Sequence, residues 1–155
     1  MSTAIETLAQ QLSAECHKDA EALSNDDKVV ALDRISKLHT KYSDLCSKHV
    51  FSAIKANAEF KRMRLLRFRY FRGDLNADPE TLKEQGWVPL QKKIDTSQIK
   101  EYIDGDDKLT ELKCTVEQYE ELAERCRRMM ETLKGKNFAI QATLKFQMFL
   151  HDGSE

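Results

Sequence analysis

The sequence predicts an all-α fold, and three of its features support that prediction. Only five of the 155 residues are glycine and two are proline, too few for the turns of a β-sandwich. Residues 27–72 contain neither, and apolar side chains recur there at roughly helical spacing. Charged residues make up 33% and hydrophobic residues 41%, a balance typical of long solvated helices or of an oligomer.

The N-terminal part predicts a long helical hairpin or coiled-coil-like packing. Residues 3–23 form the first predicted helix, with Ile5, Leu8 and Leu12 on one face. Ser-Asn-Asp-Asp at 24–27 then indicates a break and a new helix N-terminus. The helix that follows, 27–72, exceeds the usual globular length, which favours pairing with another helix.

The middle of the chain predicts a short capped helix. Gly73 ends the long helix. Asp78 before Pro79 is typical of a cap followed by proline at the first helical position, and Gly86 predicts the stop. Residues 87–90 should be extended, because the residue before a proline avoids the α region.

Towards the C-terminus, residues 95–104 predict one or two helical turns, and 107–134 predict a long helix that stops at 135–137. Residues 138–150 allow two interpretations. Their apolar side chains alternate as in a strand, yet some also stack at i, i+4 as in a helix. We favour a helix, because a lone strand would have no partner within one subunit.

This tail is too apolar to remain exposed, so it predicts self-association. The candidate contacts between subunits are Phe138, Ile140, Leu144, Met148 and Phe149. The predicted organisation is a helical region over 1–72, a linker with a short helix over 73–94, and an assembly region over 95–155.

Charge is concentrated in one block of the chain. The net charge is −1, but residues 55–72 hold seven basic residues and one acidic residue. On a helix, Met63, Leu66 and Tyr70 fall within an arc of about 60°, which predicts a narrow buried seam beside a wide cationic surface. Arginines interleaved with aromatic rings suit single-stranded nucleic acid without sequence preference. The candidate contacts are Lys61, Arg62, Arg64, Arg67, Phe68, Arg69, Tyr70, Phe71 and Arg72.

One alternative gives the basic block a different partner: a helical oligomeric scaffold or adaptor that contacts an acidic protein surface. Other classes have little support. Nucleophile and phosphate-loop motifs are lacking, so we predict no enzyme. Cys46 and His49 lie one helical turn apart without a second ligand pair, so we predict no metal and no cofactor. The sequence shows no signal peptide or membrane span, which predicts a cytoplasmic protein.

The order and spacing of several segments resemble the phage UvsY family of recombination mediators. Residues 99–109 and 134–140, with the apolar positions between them, carry the clearest similarity. The family's Lys-x-Arg-Leu motif best matches residues 62–65, and its aromatic pair and glycine match Tyr70-Phe71 and Gly73, with about three extra residues between the two parts. A register without that gap places the family's arginine on Arg67 and its lysine on Leu65. Both registers fall in the basic block.

The resemblance implies an all-helical protein that assembles through its C-terminal region into a ring-like homo-oligomer, a hexamer or heptamer. It also implies three partners: single-stranded DNA, a phage RecA-like recombinase of the UvsX type, and the phage single-stranded-DNA-binding protein. The implied roles are homologous recombination, repair and recombination-dependent replication. The implied location is the host-cell cytoplasm.

Overall fold

The computed structural model describes the backbone of residues 2–152 and the side chains of residues 4–151. Within this range the chain is helical and contains no strand, which confirms the predicted all-α class. Assembly into a ring stays a prediction. The helices are α1 (Ser2–Asn25), α2 (Lys28–Phe71), a short 3₁₀ helix (Asp74–Ala77), α3 (Pro79–Gln85), α4 (Thr96–Asp104) and α5 (Asp107–Asp152).

The chain packs into two compact units. The first unit combines Met1–Phe51 with Gln118–Glu155, and the second unit is Ser52–Glu117. The two long helices α2 and α5 each supply residues to both units. This grouping follows packing rather than chain order, and the division of the sequence at 72 and 94 stays a prediction.

The first unit is held by one apolar core between α1, α2 and α5. The predicted inner face of α1 is confirmed at Ile5 and Leu12, whereas Leu8 is 40% exposed. Burial of such side chains is the dominant favourable term in folding. The buried residues of this core are Ile5, Leu12, Leu23, Ala31, Ile35, Leu38, Tyr42, Cys46, Leu122, Ala123, Cys126, Met129 and Leu133.

A polar cluster joins α1 to α2 beside this core. Lys41 Nζ lies 2.7 Å from Asp19 Oδ2 and 3.1 Å from Glu15 Oε2. The Tyr42 hydroxyl donates to the same Asp19 oxygen at 2.9 Å. Burial opposes ionisation of Asp19, but the hydrogen bonds from Lys41 and Tyr42 outweigh it and lower the pKa of this carboxyl. These contacts fix the antiparallel hairpin of α1 and α2 that the sequence predicts.

Two apolar residues in the second half of α2 keep the helical spacing of the helix but lie at its surface. Phe51 and Ile54 are 77% and 61% exposed. α1 has 24 residues and α2 has 44, so α1 can cover little more than half of the length of α2. Helical spacing identified a face of α2 but not the point at which its partner ends.

The short elements of the second unit follow the sequence prediction. The Asp78 carboxylate accepts from the Thr81 amide at 3.1 Å, directly before Pro79. Gly86 ends α3 with φ 67°, a left-handed conformation that favours glycine. The predicted cap, proline and stop are therefore confirmed.

The extended segment after α3 is fastened to the 3₁₀ helix. The Asn76 side chain donates to the Leu90 carbonyl at 2.9 Å and accepts from the Leu90 amide at 2.8 Å. The Trp87 amide donates to the Leu82 carbonyl at 2.8 Å. These bonds hold Trp87 in place against the end of α2 within this unit.

A small apolar core lies between the end of α2, α4 and the start of α5 in the second unit. Ile99, Ile103 and Leu109 are its buried members. The partly buried side chains that pack on them are Phe60, Met63, Phe68, Phe71 and Ile94. Four of these five come from α2, so this core fixes which face of α2 turns inward.

The predicted stop at residues 135–137 is wrong, because α5 continues through it to Asp152. Gly135 has no positive φ, and nothing lies within 4 Å of where a Cβ would stand. A glycine inside a helix costs only about 1 kcal/mol. Leu133 before it is fully buried, and Ile140 after it packs on the same core, which outweighs that cost. The favoured helical interpretation of the tail is confirmed.

Replacing Gly135 with alanine should therefore stabilise the protein by up to about 1 kcal/mol, because alanine favours the helix and meets no neighbour. Urea unfolding followed by circular dichroism measures this. Gly73→Ala is the matched control and should destabilise, because Gly73 has φ 79°. Destabilisation by Gly135→Ala would contradict a continuous α5.

Candidate nucleic-acid interface

Five basic side chains near the end of α2 are exposed and available to an anion. These residues are Lys55, Lys61, Arg62, Arg64 and Arg69. None of them makes an ion pair within 4 Å to a residue that the structure describes. The sequence predicted four of them as contacts and did not include Lys55. Unpaired exposed cations are what a phosphate backbone requires.

Four of these cations share the outward face of α2. At 100° per residue, Lys55, Lys61, Arg62 and Arg69 fall within an arc of about 120° and span about 21 Å along the axis. We call these four residues the basic stripe. Arg64 lies about 60° further round, beside Lys61. A strand following the helix could meet several of these charges in turn.

Arg67 belongs to a different environment. Its Nε lies 2.7 Å from Asp106 Oδ2, and the two side chains are only 20% and 8% exposed. The Nε hydrogen is not aligned for a hydrogen bond, so the contact is ionic. The guanidinium also lies over the Trp87 ring, 4.2 Å from its centroid. Because Asp106 Oδ1 accepts from the Leu109 amide at 3.0 Å, Arg67 is attached to the N-terminal cap of α5.

The predicted stacking rings also take part in the packing of the second unit. Phe68 and Phe71 lie against its apolar core. Tyr70 packs on Trp87 with centroids 5.0 Å apart, and its hydroxyl donates to the Val88 carbonyl at 3.0 Å. The centroids of the Tyr102 and Phe71 rings lie 5.4 Å apart. Tyr102 is 51% exposed, so it is an accessible ring, and the sequence analysis did not propose it as a contact.

Arg72 has an intermediate position among the predicted contacts. Its Nε lies 3.3 Å from Asp74 Oδ2, with the two side chains 53% and 38% exposed. Its guanidinium carbon lies 5.8 Å from the centroid of the Phe68 ring. An exposed ion pair of this kind is worth at most about 1 kcal/mol, so a phosphate could compete for Arg72.

The structure corrects the predicted seam of α2. Met63 packs on the core as expected, and Leu66 and Tyr70 are partly buried, but the face of α2 that meets the core is centred on Phe60, Arg67 and Phe71. The prediction treated Arg67 as a surface charge. Burial of Arg67 is compensated by Asp106, and nothing in the spacing of the sequence indicates that pairing.

Comparison with known families agrees with this geometry. The family model described as "Recombination, repair and ssDNA binding protein UvsY" matches residues 15–153. The chain belongs to the UvsY family. No individual curated protein and no solved structure matches it significantly. The family is described by recombination, repair and binding of single-stranded DNA, which confirms the resemblance found in the sequence.

The tail of this UvsY-family chain divides into two faces. Ile140 and Leu144 are half-buried, and Ile140 packs on the core of the first unit. Phe138, Met148 and Phe149 are 76%, 67% and 74% exposed. The structure therefore assigns part of the predicted contact set to the fold of the subunit and leaves three large apolar side chains at its surface.

Cys46 and His49, which the sequence analysis considered as metal ligands, are both buried. Burial, followed by the charge of Lys48, lowers the pKa of His49. Burial raises the pKa of the Cys126 thiol to about 11. Across residues 4–151, no group of three or more potential ligands is placed to hold a metal ion. Over the described chain, no helix is long and apolar enough to cross a membrane.

The two kinds of arginine should respond differently to removal. Arg67→Ala leaves the Asp106 carboxylate buried without its counter-charge and should lower the free energy of unfolding by about 2–4 kcal/mol. Arg64→Ala removes an exposed, unpaired side chain and should change it by less than about 0.5 kcal/mol. Chemical unfolding of both variants tests this, and equal stability of the two would contradict a structural role for Arg67.

Proposed function

We propose that this UvsY-family chain is a recombination mediator. It binds single-stranded DNA and promotes loading of a phage RecA-like recombinase of the UvsX type in place of the single-stranded-DNA-binding protein. The observation that carries the proposal is the set of five exposed cations in the C-terminal half of α2 that make no ion pair within 4 Å to a described residue. The role serves homologous recombination, repair and recombination-dependent replication.

The basic stripe suits binding that does not depend on sequence. Its lysines and arginines can neutralise successive phosphates, and each neutralised phosphate releases counterions. Arg64 lies beside the stripe, and the half-exposed Arg72 continues it in the direction of the chain. Such contacts position a strand without reading its bases. A protein that acts on any exposed single strand needs contacts of this kind.

A second copy of the chain is the proposed partner of the tail. Phe138 and Phe149 lie eleven residues apart, so they differ by only about 20° around α5 and share one face. Both are more than 70% exposed. Exposed large aromatic side chains at helical spacing are typical of an interface between subunits. A closed assembly of such contacts gives the ring-like homo-oligomer of six or seven subunits.

Assembly would convert weak sites into a strong one. Several copies of the basic stripe can hold one strand at the same time, and the effective concentration of the second site raises the overall affinity. A strand held in this way is withdrawn from the single-stranded-DNA-binding protein and offered to the recombinase. The mediator role itself breaks no bond, and ATP hydrolysis belongs to the recombinase.

Removal of two stripe residues should weaken binding of single-stranded DNA. Arg62→Ala with Arg69→Ala should lower affinity about tenfold at low salt, since exposed charge contacts are worth up to about 1 kcal/mol each. The slope of log affinity against log salt should fall by about 1.4, since each phosphate contact contributes about 0.7 for a single strand. Fluorescence anisotropy of a labelled oligonucleotide measures both.

The matched control for this pair is Lys83→Ala with Lys100→Ala. Both lysines are exposed residues of the second unit outside the stripe, and their removal changes the net charge by the same amount. This control should leave the affinity and the salt slope nearly unchanged. An equal loss of affinity in both double variants would mean that binding depends on the net charge of the protein and not on the basic stripe. Binding of an acidic protein surface but not of DNA would favour the scaffold alternative.

Polar substitution of the exposed tail aromatics should break the assembly without unfolding the subunit. Phe138→Ser with Phe149→Ser should give smaller species in sedimentation velocity, because both rings are exposed within one subunit. Phe51→Ser is the control, since Phe51 is 77% exposed on α2 outside the tail. An unchanged sedimentation profile of the double variant would remove this face from the interface.

A further inference from the structure

A groove in the second unit runs along α2 beside the basic stripe. Its volume is about 430 Å³. The residues that line it are Phe60, Lys61, Arg64, Leu65, Phe68 and Ile103. The lining therefore combines two aromatic rings, two aliphatic side chains and two cations, and none of these six described residues is acidic.

The two rings flank the two charges along the groove. Phe60 and Phe68 are eight residues apart, which places their Cα atoms about 12 Å apart along the helix axis. Lys61 and Arg64 lie between them in the sequence, and both are exposed and unpaired. Ile103 from α4 is buried, so it closes the groove opposite α2. The groove thus has an apolar floor and a cationic rim.

A second groove in the same unit has a different charge. Its volume is about 620 Å³, and Phe60, Arg64 and Ile103 contribute to both grooves. Its lining also includes the carboxylates of Asp104 and Glu117. Those carboxylates offset the charges of Arg64 and Lys113, so the second groove carries no net positive charge, whereas the first groove presents only positive charge. Charge complementarity therefore selects the groove lined by Lys61 and Leu65 for a nucleic-acid strand.

We infer that the groove between Phe60 and Phe68 accepts a nucleobase of the bound single strand, while Lys61 and Arg64 contact the adjacent phosphates. The inference rests on the proposed function and names a subsite within it. Unpaired bases present flat apolar faces, and aromatic side chains beside a charged track are typical platforms for them. Leu65, which is 60% exposed, forms the outer wall against such a base.

The chemistry of the groove predicts what it recognises. The side chains of its floor, Phe60, Phe68 and Ile103, carry no hydrogen-bonding group that could read a base edge. The groove should therefore distinguish a strand with bases from one without them, and not one base from another. That selectivity suits a protein that binds wherever a single strand is exposed.

The test compares two oligonucleotides of equal length and charge, oligothymidylate and an oligonucleotide of abasic sites. Fluorescence anisotropy with the full chain should show at least about fivefold tighter binding of oligothymidylate. Leu65→Ala should reduce that preference by about threefold. Ile54→Ala is the matched control, because Ile54 is 61% exposed on the same helix but does not line the groove, and it should leave the preference unchanged.

Each outcome distinguishes the groove from the proposed function. Equal affinity for both oligonucleotides, falling with salt, would overturn the base subsite and leave single-strand binding in place. A preference that Leu65→Ala does not alter would place the bases elsewhere and also overturn the subsite. Failure of both oligonucleotides to bind at low salt would overturn the proposed function itself.

Photochemical crosslinking supplies a second measurement that does not depend on a variant. An oligonucleotide carrying 5-iodouracil reacts with nearby aromatic rings on irradiation. We expect the adduct in the peptide that contains Phe60 or Phe68. An adduct only at Tyr102, an exposed ring of the same unit that does not line the groove, would overturn the assignment.

Discussion

Asp106 uses its two carboxylate oxygens for two different tasks, and the second unit depends on both. Oδ1 caps the first turn of α5 through the Leu109 amide, and Oδ2 neutralises Arg67 of α2. Arg67 in turn lies over Trp87, which follows α3. One charge pair therefore connects three segments that are distant in the sequence. Its low exposure makes loss of either partner costly, because a carboxylate or guanidinium would remain desolvated.

This constraint separates the basic residues of α2 into two groups. Arg67 is committed to the fold, and the ring of Phe71 packs on the apolar core beside it. The opposite face of the same helix then carries its lysines and arginines outward without partners. Because α2 is anchored by its inner face, these cations stand on a rigid element rather than on a loop, which limits the entropy lost on binding. The basic stripe and the face packed on Asp106 therefore lie on different sides of one helix.

Much of the fold follows from local chemistry. The cap at Asp78, the proline after it and the glycine at 86 delimit α3 as predicted, because these effects act within a few residues. Gly135 shows where local reasoning fails. Its preference to end a helix is worth about 1 kcal/mol, and the burial of apolar side chains before and after it is worth more. The exposure of Phe51 also depends on distant residues. The spacing of apolar residues along α2 does not show how far the shorter helix α1 extends beside it.

The sequence by itself determined that the chain is helical, that its cations are concentrated at 55–72, and that it resembles a family that binds single-stranded DNA. Those properties are carried by periodicity, caps and the order of residues along the chain. Only the tertiary structure decided which of the cations are available. Arg67 and Asp106 are 39 positions apart, and no helical spacing relates them. Their contact exists because two helices meet there, and together with the apolar core beside it this contact turns the opposite face of α2, with its cations, towards solvent.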